Sequence, residues 1–396
     1  MKREAESAVW GAGTWGVISA ILAFGAIAGG CGRGDGGRGT AGDRGAAGGA
    51  PASGTAAVSG AGRTGIDTIV IIIRENRTYD ALFGDYPGGN GDPAGPTWCA
   101  DETEVEVEHG REMALLPKER HVHCRQPPSD LAVYYALAHD FTLFDRFFSE
   151  VRGPSFPNHQ VLVSGTFTEL DDPGKPEHWR CPERCYDVPT FPEALERAGK
   201  TWKAYAAGFV PAFEMFARLH GRPEIVSWKD LAADAAAGRL PNLSWVYSEK
   251  ADSDHPPYSV CRGEQWVAAQ MDALMASPQW PHMAVFITWD DWGGIYDHVD
   301  PPVIEREPNG RPIRYGHRVP LLVASPWVRR GYVEHGEASF LSIVRFAFEA
   351  LGVPLPEGRI RQAKEIGSAF VREASTAAPP PLVPPVCELT RGDAKR

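Results

Sequence analysis

An unbroken apolar run, Ile69-Val70-Ile71-Ile72-Ile73, ends abruptly in Arg74-Glu75-Asn76-Arg77-Thr78-Tyr79-Asp80. β-Branched residues with no polar alternation describe a strand buried on both faces, the habit of parallel sheets covered by helices. A second stretch repeats the design far downstream, where Ala284-Val285-Phe286-Ile287-Thr288 runs into Trp289-Asp290-Asp291-Trp292-Gly293-Gly294. Ligand sites in open α/β sheets lie at such strand ends. If both strands are parallel in one sheet, Glu75, Asn76, Asp290 and Asp291 gather at one edge.

The remaining chain alternates helical and extended signals. Ser129-Asp130 reads as an N-cap for a helix through Leu131, Val133, Tyr134, Leu137 and Ala138, followed by the apolar stretch Phe141 to Phe148. Pro154 and Pro157 fix φ on either side of Ser155, so residues 151–159 read as a stiff loop that presents this serine. A helix from Pro192 with a stop at Gly199 precedes strands at Trp202–Tyr205 and Leu243–Tyr247. A helix over Gln265–Met275 feeds the second key strand, and Val319–Ala324 reads as another core strand. Ser339 caps a last amphipathic helix that Gly352 stops. This alternation indicates an α/β fold in layers with a largely parallel central sheet.

With 396 residues and a net charge of −11, the chain is ample for one large α/β domain, and its acidity argues against nucleic acid as a partner. Met1-Lys2-Arg3 precedes the short apolar run Val17–Ile27, which suits a signal peptide. That run closes in Ala28-Gly29-Gly30-Cys31, which resembles a bacterial lipobox that would lipidate Cys31. The expected organisation is a signal peptide over residues 1–31, a Gly/Ala-rich linker over 32–65, a catalytic domain over 66–376 and a Pro-rich tail over 377–396 pinned by Cys387. Export follows, either as a cell-envelope lipoprotein held at the membrane surface or as a secreted protein. Apart from Cys31, six cysteines remain, and an even set in an exported chain reads as disulfides. Cys181 and Cys185 also admit a metal reading, and the pairing is not legible.

Several carboxylates converging on one point repel one another unless a cation sits among them. All-oxygen ligation favours a hard or borderline divalent ion, and a hydroxyl in the same shell becomes a nucleophile. Glu75, Asn76, Ser155, Asp290 and Asp291 together suit phosphoryl transfer, with Ser155 attacking phosphorus and water later releasing the phosphoseryl group.

The segments Glu75–Asp80, Gly153–His159 with Ser164-Gly165-Thr166, Asp254-His255-Pro256-Pro257, Thr288–Pro302, and Gly316–Pro320 with Ser325-Pro326-Trp327 resemble the bacterial phosphoesterase family of non-specific phospholipases C and acid phosphatases. The resemblance implies an alkaline-phosphatase-like three-layer sandwich and one divalent metal ion held by Glu75, Asn76, Ser155, Asp290 and Asp291. It makes Ser155 the nucleophile and puts His255 and His298 near the phosphate as proton donors or acceptors. The substrate implied is a phosphate ester or phospholipid. Many phospholipase-like members carry Asp-Glu where this chain has Asp290-Asp291, a pairing associated with the acid phosphatase branch. Acid phosphatase therefore stands as the alternative, and a non-enzymatic surface lipoprotein as the rival of another class. A sulfatase reading is disfavoured because Ser155-Phe156-Pro157-Asn158 breaks the sulfatase sequence.

Asp80 is expected to orient the loop after the first strand, and Asp297 to anchor His298. His121, His123 and Cys124 are explained by a disulfide beside two exposed imidazoles and are left out of the site. Trp98, Trp245, Trp289 and Trp292 read either as a lipid-facing surface or as core.

Overall fold

The computed structural model describes residues 65–92, 110–172, 181, 185–207, 211–379 and 381–387. The signal peptide, Cys31, most of the linker, Trp98 and Cys99 lie outside the described residues. In chain order the elements begin with β1 Thr68–Arg74, α1 Tyr79–Phe83, α2 Arg111–Ala114, α3 Ala132–Asp140, β2 Thr142–Phe144 and β3 Phe147–Phe148. Next come α4 Ser155–Ser164, α5 Phe191–Arg197, β4 Trp202–Ala206, α6 Pro211–Glu214, β5 Ile225–Ser227, α7 Asp230–Ala236 and β6 Leu243–Tyr247. The chain continues through α8 Val260–Met275, β7 Met283–Trp289, β8 Val303–Arg306, β9 Pro312–Arg314, β10 Leu321–Ala324, β11 Tyr332–Glu334, β12 Ala338–Ser339 and α9 Phe340–Leu351.

Eight strands form one sheet in the order β11-β2-β10-β7-β1-β6-β4-β5. The five from β7 to β5 run parallel, whereas β10 is antiparallel to both β7 and β2. β1 is central, and all seven of its residues are buried, as a run without polar alternation requires. Each buried Ile or Val there contributes roughly 1.5–3 kcal/mol over an exposed one. Helices cover both faces. α3 and α7 both pack on α8 in one group, and α4 packs on α5, α6 and α9 in the other, which gives the three-layer sandwich.

The register of β1 on β7 fixes the site. Ile73 lies opposite Thr288 and Arg74 opposite Trp289, so the next residues, Glu75 and Asp290, leave the sheet side by side. β6 flanks β1 on its other side, with Ile73 opposite Tyr247. β6 and β7 are joined through α8, so the chain changes sides at β1 and opens the sheet edge there.

Two local expectations give way to tertiary structure. Residues 155–164 form a helix, with Pro154 at its N-cap and Pro157 in the first turn, where an amide N–H has no intrahelical partner and proline is tolerated. α3 is not capped by Ser129. Residues 128–130 make a 3₁₀ turn, and the orphan N–H groups of Val133 and Tyr134 donate to the buried Glu264 carboxylate of α8 at 3.2 and 2.7 Å. A cap supplied from another helix leaves no local sequence signal.

Trp245, Trp289 and Trp292 are fully buried and belong to the interior. Cys181 pairs with Cys185 and Cys261 with Cys387, while Cys124 is also disulfide-bonded. The Cys181–Cys185 bridge removes the metal reading of that pair, and Cys387 ties the tail to the first turn of α8. Among the described residues no helix is long and apolar enough to cross a membrane.

Burial pushes the Glu264 carboxyl up to about 8, against the ordinary value in the unfolded chain. Because the folded value is the higher, its contribution to stability is full when protonated below about pH 4.5 and is lost as pH rises through about 8. Denaturant unfolding at pH 5 and pH 8 should show a decline of a few kcal/mol that Glu264→Gln flattens, with Gln keeping one acceptor for the cap.

Candidate active site

β1 delivers Glu75 and Asn76 to the sheet edge. The Glu75 N–H donates to the Ser253 carbonyl at 2.8 Å, which draws the loop after β6 against the site. Asn76 has φ of +56°, a conformation that asparagine tolerates better than most residues, and its N–H donates to Asp290 Oδ1 at 3.0 Å. The turn after β7 is equally tight. Asp290 Oδ1 also accepts the Asp291 N–H at 2.8 Å, and Asp291 Oδ1 accepts the Gly293 N–H at 2.7 Å. Gly293 has φ of +61°, and a Cβ there would sit 2.4 Å from the Asn76 carbonyl oxygen, so only glycine lets the two turns touch.

Ser155 enters from the opposite helical layer as the first residue of α4. Asn158 sets the approach: its Oδ1 accepts the N–H groups of Glu150 and Val151 at 3.1 and 2.9 Å, and its Nδ2 donates to the Val151 and Pro154 carbonyls at 3.1 and 3.0 Å. Ser155 Oγ lies 2.9 Å from Asp291 Oδ2, 3.4 Å from Asn76 Oδ1 and 3.5 Å from Glu75 Oε2. Ser155, Asn76, Asp290 and Asp291 are buried, and Glu75 is half-buried at the mouth.

His159 completes the cluster and was assigned no role from sequence. It stands four residues after Ser155, one helical turn on, with Nε2 at 3.1 Å from Asp290 Oδ2 and 3.5 Å from Glu75 Oε1. Reading residues 151–159 as a loop hid this spacing. Burial disfavours a charged imidazole, but hydrogen bonds and charge from Asp290 and Glu75 prevail and push it up to about 10. Burial alone would raise Asp290; His159 and the Asn76 N–H hold it below the usual carboxylate range. Burial and the charge of Asp290 raise Glu75, and the same two causes raise Asp291 well above its ordinary value.

The two sequence-selected histidines stand differently. His298 belongs to a second group with Asp80 and Asp297. Its Nδ1 and its backbone N–H both meet Asp80 Oδ2 at 2.7 Å, so Asp80, rather than Asp297, anchors the ring. Asp297 instead receives Arg318 Nε at 2.9 Å and the Asp80 N–H at 3.1 Å, while Arg318 Nη2 reaches Asp80 Oδ1 at 2.8 Å. The Asp80 hydrogen bond raises His298. His255 is half-buried in the loop that Ser253 ties to Glu75, with Nδ1 against the Pro256 carbonyl. Its neighbour Asp254 is buried in an ion pair with Arg74 at 2.9 Å and accepts from Tyr134 Oη at 2.7 Å and Trp289 Nε1 at 3.0 Å.

Residues 101–354 match the Phosphoesterase family, well over half of the chain. The chain belongs to that family. Its relatives include the non-specific phospholipase C1 of Arabidopsis thaliana, 27% identical over 338 residues that cover 68% of this chain and 62% of the relative. The non-hemolytic phospholipase C of Pseudomonas aeruginosa is 28% identical over 377 residues, covering 74% of this chain and 54% of the relative. Phospholipase C A of Mycobacterium tuberculosis is 25% identical over 390 residues, with 74% of each chain covered. This family member thus spans between half and two thirds of the first two relatives. Among solved structures, murine ectonucleotide pyrophosphatase/phosphodiesterase 5 is 12% identical over 77% of this chain and 100% of that one, a slight likeness with a TM-score of 0.44.

Buried carboxylates at this density destabilise the fold in the absence of a cation. Asp291→Asn keeps the shape and can still accept from Gly293. It should raise stability by about 1–2 kcal/mol in thermal denaturation with EDTA present; a loss of stability would show that the carboxylate charge is already balanced.

Proposed function

We propose that this phosphoesterase-family protein is a metal-dependent phosphoric ester hydrolase acting outside the cytoplasm. Its preferred reaction is phospholipase-C-like cleavage of phosphodiester lipids through a phosphoseryl intermediate on Ser155. The observation that carries this reading is the placement of Ser155 Oγ within 2.9–3.5 Å of Asp291, Asn76 and Glu75. These donors are all oxygens and, with Asp290, include three carboxylates, a set that fits a hard divalent cation. Such an ion, when bound, supplies Lewis acidity to the phosphate and lowers the pKa of the serine hydroxyl.

The protein's own groups perform the remaining work. Glu75, Asn76, Asp290 and Asp291 would hold the cation, and Asp291 Oδ2 is placed to take the hydroxyl proton as Ser155 attacks phosphorus. Attack forms the Oγ–P bond and breaks the bond to the leaving alcohol. His255 and His298 are the proposed proton donors to that alcohol and acceptors from the water that later cleaves the phosphoserine. His159 holds Asp290 and Glu75 in position.

Phosphodiester lipids are preferred here over soluble monoesters because two exposed aliphatic residues lie on segments that touch Arg152 and Gly153, just before Ser155. Leu115 is 53% exposed at the end of α2, whose Ala114 carbonyl accepts Arg152 Nε at 2.7 Å. Leu170 is 42% exposed, and its carbonyl packs on Gly153. Acid phosphatase remains the second reading because the acidic pair is Asp290-Asp291.

Hydrolysis of p-nitrophenylphosphorylcholine and p-nitrophenyl phosphate, with and without chelator, separates these readings. Turnover of the diester should fall at least about a thousandfold in Ser155→Ala and vanish on chelation. Activity confined to the monoester would establish the phosphatase reading, and inactivity on both with metal supplied would leave a binding protein. Replacing Leu115 and Leu170 by Ser should lower hydrolysis of lipid vesicles several-fold more than that of the soluble diester.

A further inference from the structure

Three aromatic side chains, His121, Trp292 and His317, meet on segments that also build the candidate site, and the nitrogens of Trp292 and His317 have no hydrogen-bond partner among the described residues. The ring centroids of His121 and Trp292 lie 4.4 Å apart, those of Trp292 and His317 4.4 Å apart and nearly parallel, and those of His121 and His317 5.4 Å apart. Both histidines are 5% exposed and Trp292 is fully buried. Both ring nitrogens of His317 and Nε1 of Trp292 are buried and have no hydrogen-bond partner among the described residues. The backbone of Met113 and Leu116 draws on the His121 ring through hydrogen bonding, so His317 and Trp292 are the members of the stack whose nitrogens stand without any such interaction among the described residues. Buried polar side chains are nearly always partnered in folded proteins, so this many orphans in one stack point to a group that the stack receives.

Each member is held by a segment that also builds the site. Trp292 follows Asp291 directly. His317 is pinned to the chain leading into Ser155, since the Ser149 N–H donates to the His317 carbonyl at 3.0 Å and the Gly316 N–H to the Ser149 carbonyl at 2.8 Å. His121 rides on the turn after Asp291, because the Val122 N–H donates to the Gly294 carbonyl at 2.9 Å and the Tyr296 N–H to the Val122 carbonyl at 2.8 Å. Arg152, half-buried and three residues before Ser155, acts on both imidazoles through its charge. Burial first, and that charge second, hold both imidazoles below their ordinary range and therefore neutral.

The donors are then the Trp292 Nε1–H, one N–H from each imidazole and the Arg152 guanidinium. Such a set suits anionic oxygens, and Arg152 disfavours a quaternary ammonium. We propose that His121, Trp292, His317 and Arg152 form a subsite beside Ser155 for a second anionic group, a carboxylate or phosphate, carried by the alcohol portion of the phosphoester. The proposal rests on the phosphoesterase reading of Ser155 and names the head-group class that this site prefers, one bearing its own anion in place of choline.

O-Phosphoserine and O-phosphoethanolamine differ by one carboxylate and are the matched probes. Titration calorimetry on the full chain should give roughly tenfold tighter binding of phosphoserine. His317→Phe should remove most of that preference while raising the melting temperature, because an apolar ring replaces an unpaired imidazole. A merely structural histidine would lower the melting temperature and weaken both ligands alike. Arg152→Gln is the second variant and should also shrink the preference. Equal affinity for the two ligands in the native protein, or a preference untouched by both variants, overturns the subsite. Because binding is read without turnover, a chain that prefers phosphoserine yet hydrolyses no phosphoester would support the anion subsite and overturn the hydrolase reading.

Discussion

Like-charge repulsion among Glu75, Asp290 and Asp291 is the constraint on which the rest of the structure depends. The parallel register of β1 and β7 forces these carboxylates together, and burial magnifies their repulsion. The fold answers with oriented dipoles and one imidazole. The N–H groups of Asn76, Asp291 and Gly293 all point at Asp290 or Asp291, and His159 bridges Asp290 and Glu75. These contacts fix the carboxylate oxygens in place, which is the preorganisation that the proposed cation would use. Ser155 gains its position from the same helix that supplies His159, which links the proposed nucleophile and the counter-charge in one element.

Beneath this cluster lies a second, fully satisfied polar layer. Arg74 precedes Glu75, and its guanidinium meets Asp254, Ser248 and the Asp252 carbonyl. Asp254 in turn accepts from Tyr134 of α3 and Trp289 of β7, and Glu264 of α8 caps α3. The side chain of Asp254 also leaves no room for a Cβ at Gly263, so α8 packs directly on the network. One buried carboxylate thus couples β1, β7, α3 and the loop bearing His255. Such a network positions the loop more sharply than apolar packing would, because each missing partner would strand a buried charge.

The strands were legible because their cause is local. Five consecutive β-branched residues admit few other structures, and an abrupt polar end marks where β1 leaves the sheet. The Glu75, Asn76, Asp290 and Asp291 cluster followed from assuming β1 and β7 to be parallel neighbours, which they are. Helix α4 was not legible, since two prolines in four residues read as a loop unless both fall at the cap and first turn. That error concealed His159, whose spacing from Ser155 carries meaning only on a helix. The pairing of Asp80 with His298 and the capping of α3 by Glu264 bring together residues far apart in the chain, and no local pattern encodes either.

The two histidine-bearing clusters flanking the site show how satisfaction of polar groups separates support from recognition. Asp80, Asp297, His298 and Arg318 spend their buried donors and acceptors on one another and on backbone groups, including the Asn90 and Asp145 carbonyls. Such closure fixes the segments that carry Asp80 and His298. His121, Trp292 and His317 are packed as tightly, yet the ring nitrogens of Trp292 and His317 have no partner among the described residues. Stability alone would favour apolar rings in that stack, since stacking needs no nitrogen and an unpaired buried polar group costs about 1–3 kcal/mol. The unpaired nitrogens are the observation behind the proposed anion subsite, and the attachment of their segments to the turns carrying Asp291 and Ser155 ties that subsite to the candidate site.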